Sequence, residues 1–217
     1  MNTLLRLSSK LLVCLALCSP ALGQAEELKP LQLPKPQMDG GKPLMQVLKE
    51  RKSTRAFSPQ KLPEQTLSNL LWAAFGISRP DGRRTAPSAS NRQEIDVYAI
   101  TSEGAYLYDA KDHSLKPVVA GDLRAQAGTQ DYVKEAPLNL VFVADTTKMG
   151  SGSEESKALN TGADTGFISQ NVYLFCASEG LATVVRASID RPALAQALKL
   201  KPEQKIILAQ TVGYTKN

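Results

Sequence analysis

Between positions 64 and 76 the apolar residues Leu67, Leu70, Leu71, Ala74 and Phe75 recur at steps of three and four, the spacing of one helical face. Pro63 precedes the run and Gly76 follows it, so the pattern predicts a helix that starts after Pro63 and stops at Gly76. A shorter helix is predicted upstream, opened by Pro43 in its first turn, with Leu44, Val47 and Leu48 on one side. At Ile95 the period drops to two. Ile95, Val97 and Ala99 alternate as in a strand, and Gly104 turns the chain back through Ala105, Tyr106, Leu107 and Tyr108, a hairpin pattern. A short polar helix is expected near Leu123, and residues 138–144, apolar apart from Asn139, form a strand. Residues 164–179 carry Phe167, Ile168, Val172, Leu174, Phe175 and Cys176 around every side of a helix, which predicts burial on all faces. A second subunit is one way to supply that cover. Strands at 182–185 and 206–212 complete the pattern, and no internal repeat is present.

The connecting segments differ in kind. Residues 26–41 hold Pro30, Pro34, Pro36 and Gly40-Gly41 and read as an extended, poorly packed arm. Residues 78–93 are a loop long enough to expect function in it. Residues 148–158 have the Gly/Ser/Glu composition of a mobile linker. The N-terminus is different again: Arg6 and Lys10 precede an apolar stretch at 11–22, and Gly23-Gln24-Ala25 is a small-x-small cleavage site. Residues 1–25 therefore read as a cleaved signal peptide, too short in its apolar part to span a bilayer, so no stable membrane insertion is expected. The protein is expected to be exported, to the periplasm or outside the cell, with residues 42–217 as one domain.

Loss of that segment leaves about 190 residues, enough for one domain with a real core. It also removes Cys14 and Cys18, so that Cys176 has no intrachain partner. The formal charge of +5 falls by the two cations Arg6 and Lys10, and the remaining excess is spread along the chain, which argues against a nucleic-acid partner. His113 is the only histidine and sits in a stretch that reads as a solvated turn. A histidine-based triad and a metal centre are therefore not expected. Cys176 reads as core, and no Gly-rich dinucleotide fingerprint follows a strand.

Two short motifs carry chemistry. Arg51-Lys52-Ser53-Thr54-Arg55 offers three cations and two hydroxyls, which suits a phosphate dianion. Helix capping by Arg51 and Lys52 explains part of this tract but not all five residues. Pro87-Ser88-Ala89-Ser90-Asn91-Arg92-Gln93, at the end of the long loop, is either an ordinary turn or the rim of a planar heteroaromatic ring. Gln170-Asn171, inside the apolar helix, must find hydrogen-bond partners, in the core, at an interface or on a ligand.

In order and spacing the two motifs resemble the R-R-S-x-R and P-S-x-x-N-x-Q segments of the nitroreductase family. Residues 70–76, 84–91, Tyr106-x-Tyr108, Gln170-Asn171-x-Tyr173-Leu174 and 180–183 are similar to the branch of SagB-type and thiazoline/oxazoline dehydrogenases. The resemblance implies an α+β fold, a central mixed sheet flanked by helices, and an intertwined homodimer holding flavin mononucleotide (FMN) at its interface. It implies a flavin-dependent oxidoreductase acting on a small nitro-, quinone- or azoline-like molecule, with NAD(P)H or another electron donor. Arg51 and Ser53 would hold the phosphate, and Lys52 and Arg55 would approach the phosphate, ribityl chain or pyrimidine edge. Pro87, Ser88, Ala89 and Asn91 would line the ring, and Lys216, after the last strand, would reach the phosphate. The flavin carries the hydride chemistry, so no catalytic side chain is named. Arg186-Ala187-Ser188-Ile189 stands where the family usually has a glycine near the flavin, which leaves one alternative, an exported small-molecule-binding protein without redox activity.

Overall fold

The computed structural model describes residues 27–216; the expected signal segment lies outside them. The chain runs through β1 (Leu31–Gln32), α1 (Leu44–Glu50), α2 (Glu64–Phe75), a 3-10 turn (Ala89–Asn91), β2 (Ile95–Ile100), β3 (Gly104–Asp109) and β4 (Ser114–Ala120). It continues through α3 (Tyr132–Glu135), β5 (Leu138–Asp145), α4 (Glu154–Glu179), β6 (Ala182–Arg186), α5 (Arg191–Ala197) and β7 (Gln204–Gly213). The seven strands form one sheet in the order β1-β4-β3-β2-β5-β7-β6. Among the described residues no helix is long and apolar enough to cross a membrane.

The expected mixed sheet is corrected, because every strand pair is antiparallel. β5 and β6 do run in the same direction, joined by the long helix α4. The last strand, β7, slots between them and pairs antiparallel with both, so no parallel pair forms.

Both faces of the sheet are covered. On one face Leu70, Leu71, Ala74 and Phe75 of α2 and Ile168, Val172 and Cys176 of α4 pack on Val97, Ala99, Leu140 and Phe142. On the other, Leu194 of α5, Leu198 and Val133 of α3 pack on Tyr98, Ile100, Val141, Val143 and Ala209. This is why 138–144 is apolar without alternation except at Asn139, which is buried and hydrogen-bonded: β5 lies at the centre, and each of its side chains up to Ala144 meets a covered face. Arg186 ends β6 inside the second layer, donating to Ala127 O, Asn139 Oδ1 and Thr211 Oγ1. Burial lowers it to about 10, which leaves it charged at neutral pH.

Four further expectations change. The arm is extended and largely exposed, but its first half is tied to the domain. Leu33 is buried in the core, β1 pairs with β4, Ser68 Oγ donates to Pro34 O at 2.5 Å, and Gln37 N donates to Asn69 Oδ1 at 2.9 Å. His113 sits in the expected turn, but its ring is part of that attachment and not solvated. The Ser68 proton is committed to Pro34, so His113 donates from Nε2 to Ser68 Oγ (2.7 Å) and accepts at Nδ1 from the Tyr108 hydroxyl (3.0 Å). The expected linker is helical from Glu154 onward. Ser153 Oγ accepts the Ser156 N–H, and Glu154 and Glu155 lie at the positive end of the helix dipole. Finally, α4 is not covered on every side by its own chain. Leu159 and Phe167 are exposed, as are Leu44 and Leu48 of α1, whose only buried residue is Val47.

Candidate active site

The first motif begins where α1 stops. Arg51 caps the helix through its N–H to Val47 O (2.8 Å) and has extended backbone angles, so the chain leaves the helix axis at once. Thr54 N then donates to Thr183 O at 2.9 Å, laying the motif along β6, the edge strand of the sheet. The Arg51 guanidinium stands over the Tyr173 ring, 5.2 Å from its centre. The Tyr173 hydroxyl lies 2.7 Å from Ser53 Oγ and accepts the Val185 N–H at 3.0 Å. Tyr173 of α4 thus fixes both residues expected to hold the phosphate.

Charge around the motif is unbalanced. Glu50, the nearest acid in sequence, is taken by Lys42 at 2.6 Å, and that hydrogen bond holds its carboxyl below the usual range. Among the described residues Arg51, Lys52 and Arg55 make no ion pair. A cavity of about 450 Å³, lined by Lys52, Thr54, Tyr173, Gly180 and Thr183 and by the Lys42–Glu50 pair, opens beside the motif. Three cations without an ion pair and the Ser53 hydroxyl within five consecutive residues fit an anion such as a phosphate, although only Lys52 of this set lines the cavity. Lys216 is placed next to the motif by its N–H bond to Ala56 O (3.2 Å), but its Nζ lies 3.4 Å from Glu135.

The second motif forms a tight turn around the 3-10 segment. Ser90, Asn91 and Gln93 have φ of 55°, 54° and 50°, a left-handed conformation that non-glycine residues adopt only when held. Several bonds hold them: Asn91 N to Ser88 O, Gln93 N to Ser88 Oγ, and Arg84 Nε to Gln93 Oε1, each at 2.9 Å. Arg84 is itself fixed over the Phe75 ring, 4.6 Å from its centre. Pro87 and Asn91 face solvent, with Ser88 and Ala89 half-buried, so the turn presents a rim of small polar groups.

Beneath the turn lies a pair of acids. Asp164 of α4 accepts the Ala89 N–H at 2.9 Å. Glu94, the residue before β2, is wholly buried, and neither carboxyl oxygen has a donor from another residue. Burial, followed by the neighbouring Asp164 carboxyl, pushes Glu94 up to about 7. Sequence reasoning missed both acids and the central part of Tyr173. The available signals were an acid immediately before an apolar strand and another inside an apolar helix. Of Gln170-Asn171, Gln170 is exposed, and Asn171 Nδ2 donates to Ala74 O at 3.4 Å. Ala187 and Ser188 form an exposed link between β6 and α5. Cys176 is buried and its thiol is pushed up by burial, which suits a core residue.

One chain does not bring the motifs together. They meet α4 at Asp164 and at Tyr173, nine residues apart in sequence. At 1.5 Å and 100° per residue this is about 13 Å along the axis and about 180° around it. The two motifs therefore lie on opposite sides of the helix.

Comparison with known proteins identifies the family. The nitroreductase family profile matches residues 48–214. A candidate nitroreductase of Methanocaldococcus jannaschii is 28% identical over 168 residues, 73% of this chain and 85% of its own. The crystal structure of a candidate nitroreductase from Ralstonia eutropha superposes with a TM-score of 0.84 at 43% identity, covering 91% of this chain and 94% of that one. The Vibrio harveyi NADPH:FMN oxidoreductase, solved with NAD+, shares the fold at 19% identity and a TM-score of 0.61, over 80% of this chain and 69% of its own. So does the Escherichia coli microcin synthetase complex, at 21% identity and a TM-score of 0.66, over 74% and 67%. The chain belongs to the nitroreductase family, and it is a flavin-dependent oxidoreductase.

Proposed function

We propose that the flavin is FMN, and that two copies of this chain bind it between them and use it to reduce or oxidise a small nitro-, quinone- or azoline-like molecule. The observation that carries this reading is the unpaired cation set of Arg51, Lys52 and Arg55 beside Ser53, with the strained ring-rim turn on the opposite side of α4. A single chain leaves the two apart, whereas a second copy offers its own 87–91 turn to the cavity at the first motif. Arg51 and Ser53 would hold the phosphate, with Lys52 and Arg55 close by. Lys216 can join them by leaving Glu135, an exposed pair that costs little to break. Pro87, Ser88, Ala89 and Asn91 of the other subunit would border the ring. Bound FMN supplies the hydride chemistry, and the nearby cations favour negative charge on its reduced form.

The Vibrio relative supports FMN and a nicotinamide donor, and the likeness to the microcin synthetase complex supports the azoline-related branch. The pattern of residues 1–25 supports export, where another donor would have to serve. The deciding experiment is the visible spectrum of the purified protein with chromatography of the released cofactor. About one FMN per chain is expected. A colourless protein that takes up no added FMN would remove this reading.

A further inference from the structure

We propose that Glu94 and Asp164 hold one proton between them, and that this proton fixes Asp164 against the Ala89 N–H and so sets the shape of the 88–93 turn. Glu94 is 0% exposed and Asp164 4% exposed, so water does not solvate either acid. No N–H or O–H of another residue reaches either Glu94 oxygen; beside its own backbone N–H, its neighbour is the Asp164 carboxyl. Two carboxylates only accept, so the contact is a bond when one of them carries a proton and a repulsion when neither does. The other charged groups around Glu94 are committed elsewhere or bind it weakly. Arg92, on the turn, attracts it without a hydrogen bond. Asp145, at the end of β5, gives its backbone N–H to Glu94 O, and its carboxylate accepts from Thr147. Lys148 pairs with Asp96 at 3.0 Å.

The geometry gives the proton a task. Ala89 N–H to Asp164 Oδ2 ties the turn to α4, and the next residues, Ser90, Asn91 and Gln93, are all left-handed. A turn under that strain relaxes when a tie is lost. Glu94 binds its proton more tightly when the turn is pinned (about 7) than when exposed (ordinary value 4.5). The pin is therefore fully made below pH 4.5, weakens as the pH rises, and has lost the proton's contribution above about 7. The effect on flavin rests on the function proposed above; the proton itself does not.

Hydrogen exchange at the Ala89 amide tests this on the full chain without added flavin. In the wild type, protection corrected for the intrinsic rate should fall between pH 5 and 7 by up to about tenfold per pH unit, the limit for one proton, and then level off. Glu94→Gln always presents an N–H to Asp164 and should hold protection flat over that range. Parallel profiles in the two proteins overturn the proposal. Should Glu94→Gln fail to fold, the wild-type infrared spectrum decides. A protonated-carboxyl band at pH 6 that is gone by pH 8 supports the shared proton, and its absence at pH 6 overturns it. Titration with FMN in parallel separates the two readings. An Ala89 amide that titrates in a protein that never binds FMN leaves the acid pair standing and removes the flavin wall.

Discussion

Arg51 is held over the Tyr173 ring with no carboxylate to neutralise it, so a phosphate arriving beside Ser53 meets a cation already in position. Arg51→Ala should weaken FMN binding about ten- to hundredfold, which corresponds to about 1.5–3 kcal/mol for a charge-assisted hydrogen bond. Fluorescence titration of flavin checks this, and unchanged affinity would return Arg51 to helix capping alone. His113 makes a prediction of a different kind. It is neutral as bonded, and burial lowers it from 6.5. The unfolded chain therefore takes up the proton first, so this contribution to stability is complete above pH 6.5 and is lost as the pH falls through the lowered value. Between pH 7.5 and 5.5 the urea midpoint of the wild type should fall relative to that of His113→Gln. Glu94 acts in the opposite direction in both proteins and cancels in this relative shift. The motif residues were legible because their chemistry lies within five or seven consecutive positions. Tyr173, Asp164 and Glu94 were not, since each acts through a contact from another element.

Among the elements, α2, β2 and β5 were legible because each buries a regular set of side chains. The first turns of α4 were not. They carry polar residues and an exposed Leu159, so they bury no apolar face, and they form because the helix downstream is packed and Ser153 caps the start. α5 escaped notice for its shortness, although Asp190 and Pro192 mark its start. The other end of α4 offers a clean test. Gly180 closes the helix at φ 70° with open space where a Cβ would stand, so Gly180→Ala costs only the left-handed backbone, about 1–2 kcal/mol. A larger loss on urea unfolding would mean that Gly180 also needs room for something in the adjoining cavity.

For the whole molecule, the exposed Leu159 and Phe167 of α4 and Leu44, Met45 and Leu48 of α1 are the surface a second copy would cover. Gly162 and Gly166 lie on the same side of α4, each with open space at its Cβ, which allows close approach. Phe167→Asp should therefore give a folded monomer that has lost its flavin, seen by sedimentation together with absorbance. A monomeric wild type that retains flavin would remove the shared site. Val172, wholly inside one chain, would report on folding instead. The place of β7 has a further consequence, in time rather than in space. β6 has no neighbour in the sheet except β7, and the first motif is stitched to β6 by Thr54 and Thr183, about 130 residues apart. The first motif is made well before β7, yet the strand it lies along is seated in the sheet only by β7. A growing chain therefore carries these cations before the surface that shapes them exists, and any ligand they hold would be taken up only once β7 has been made.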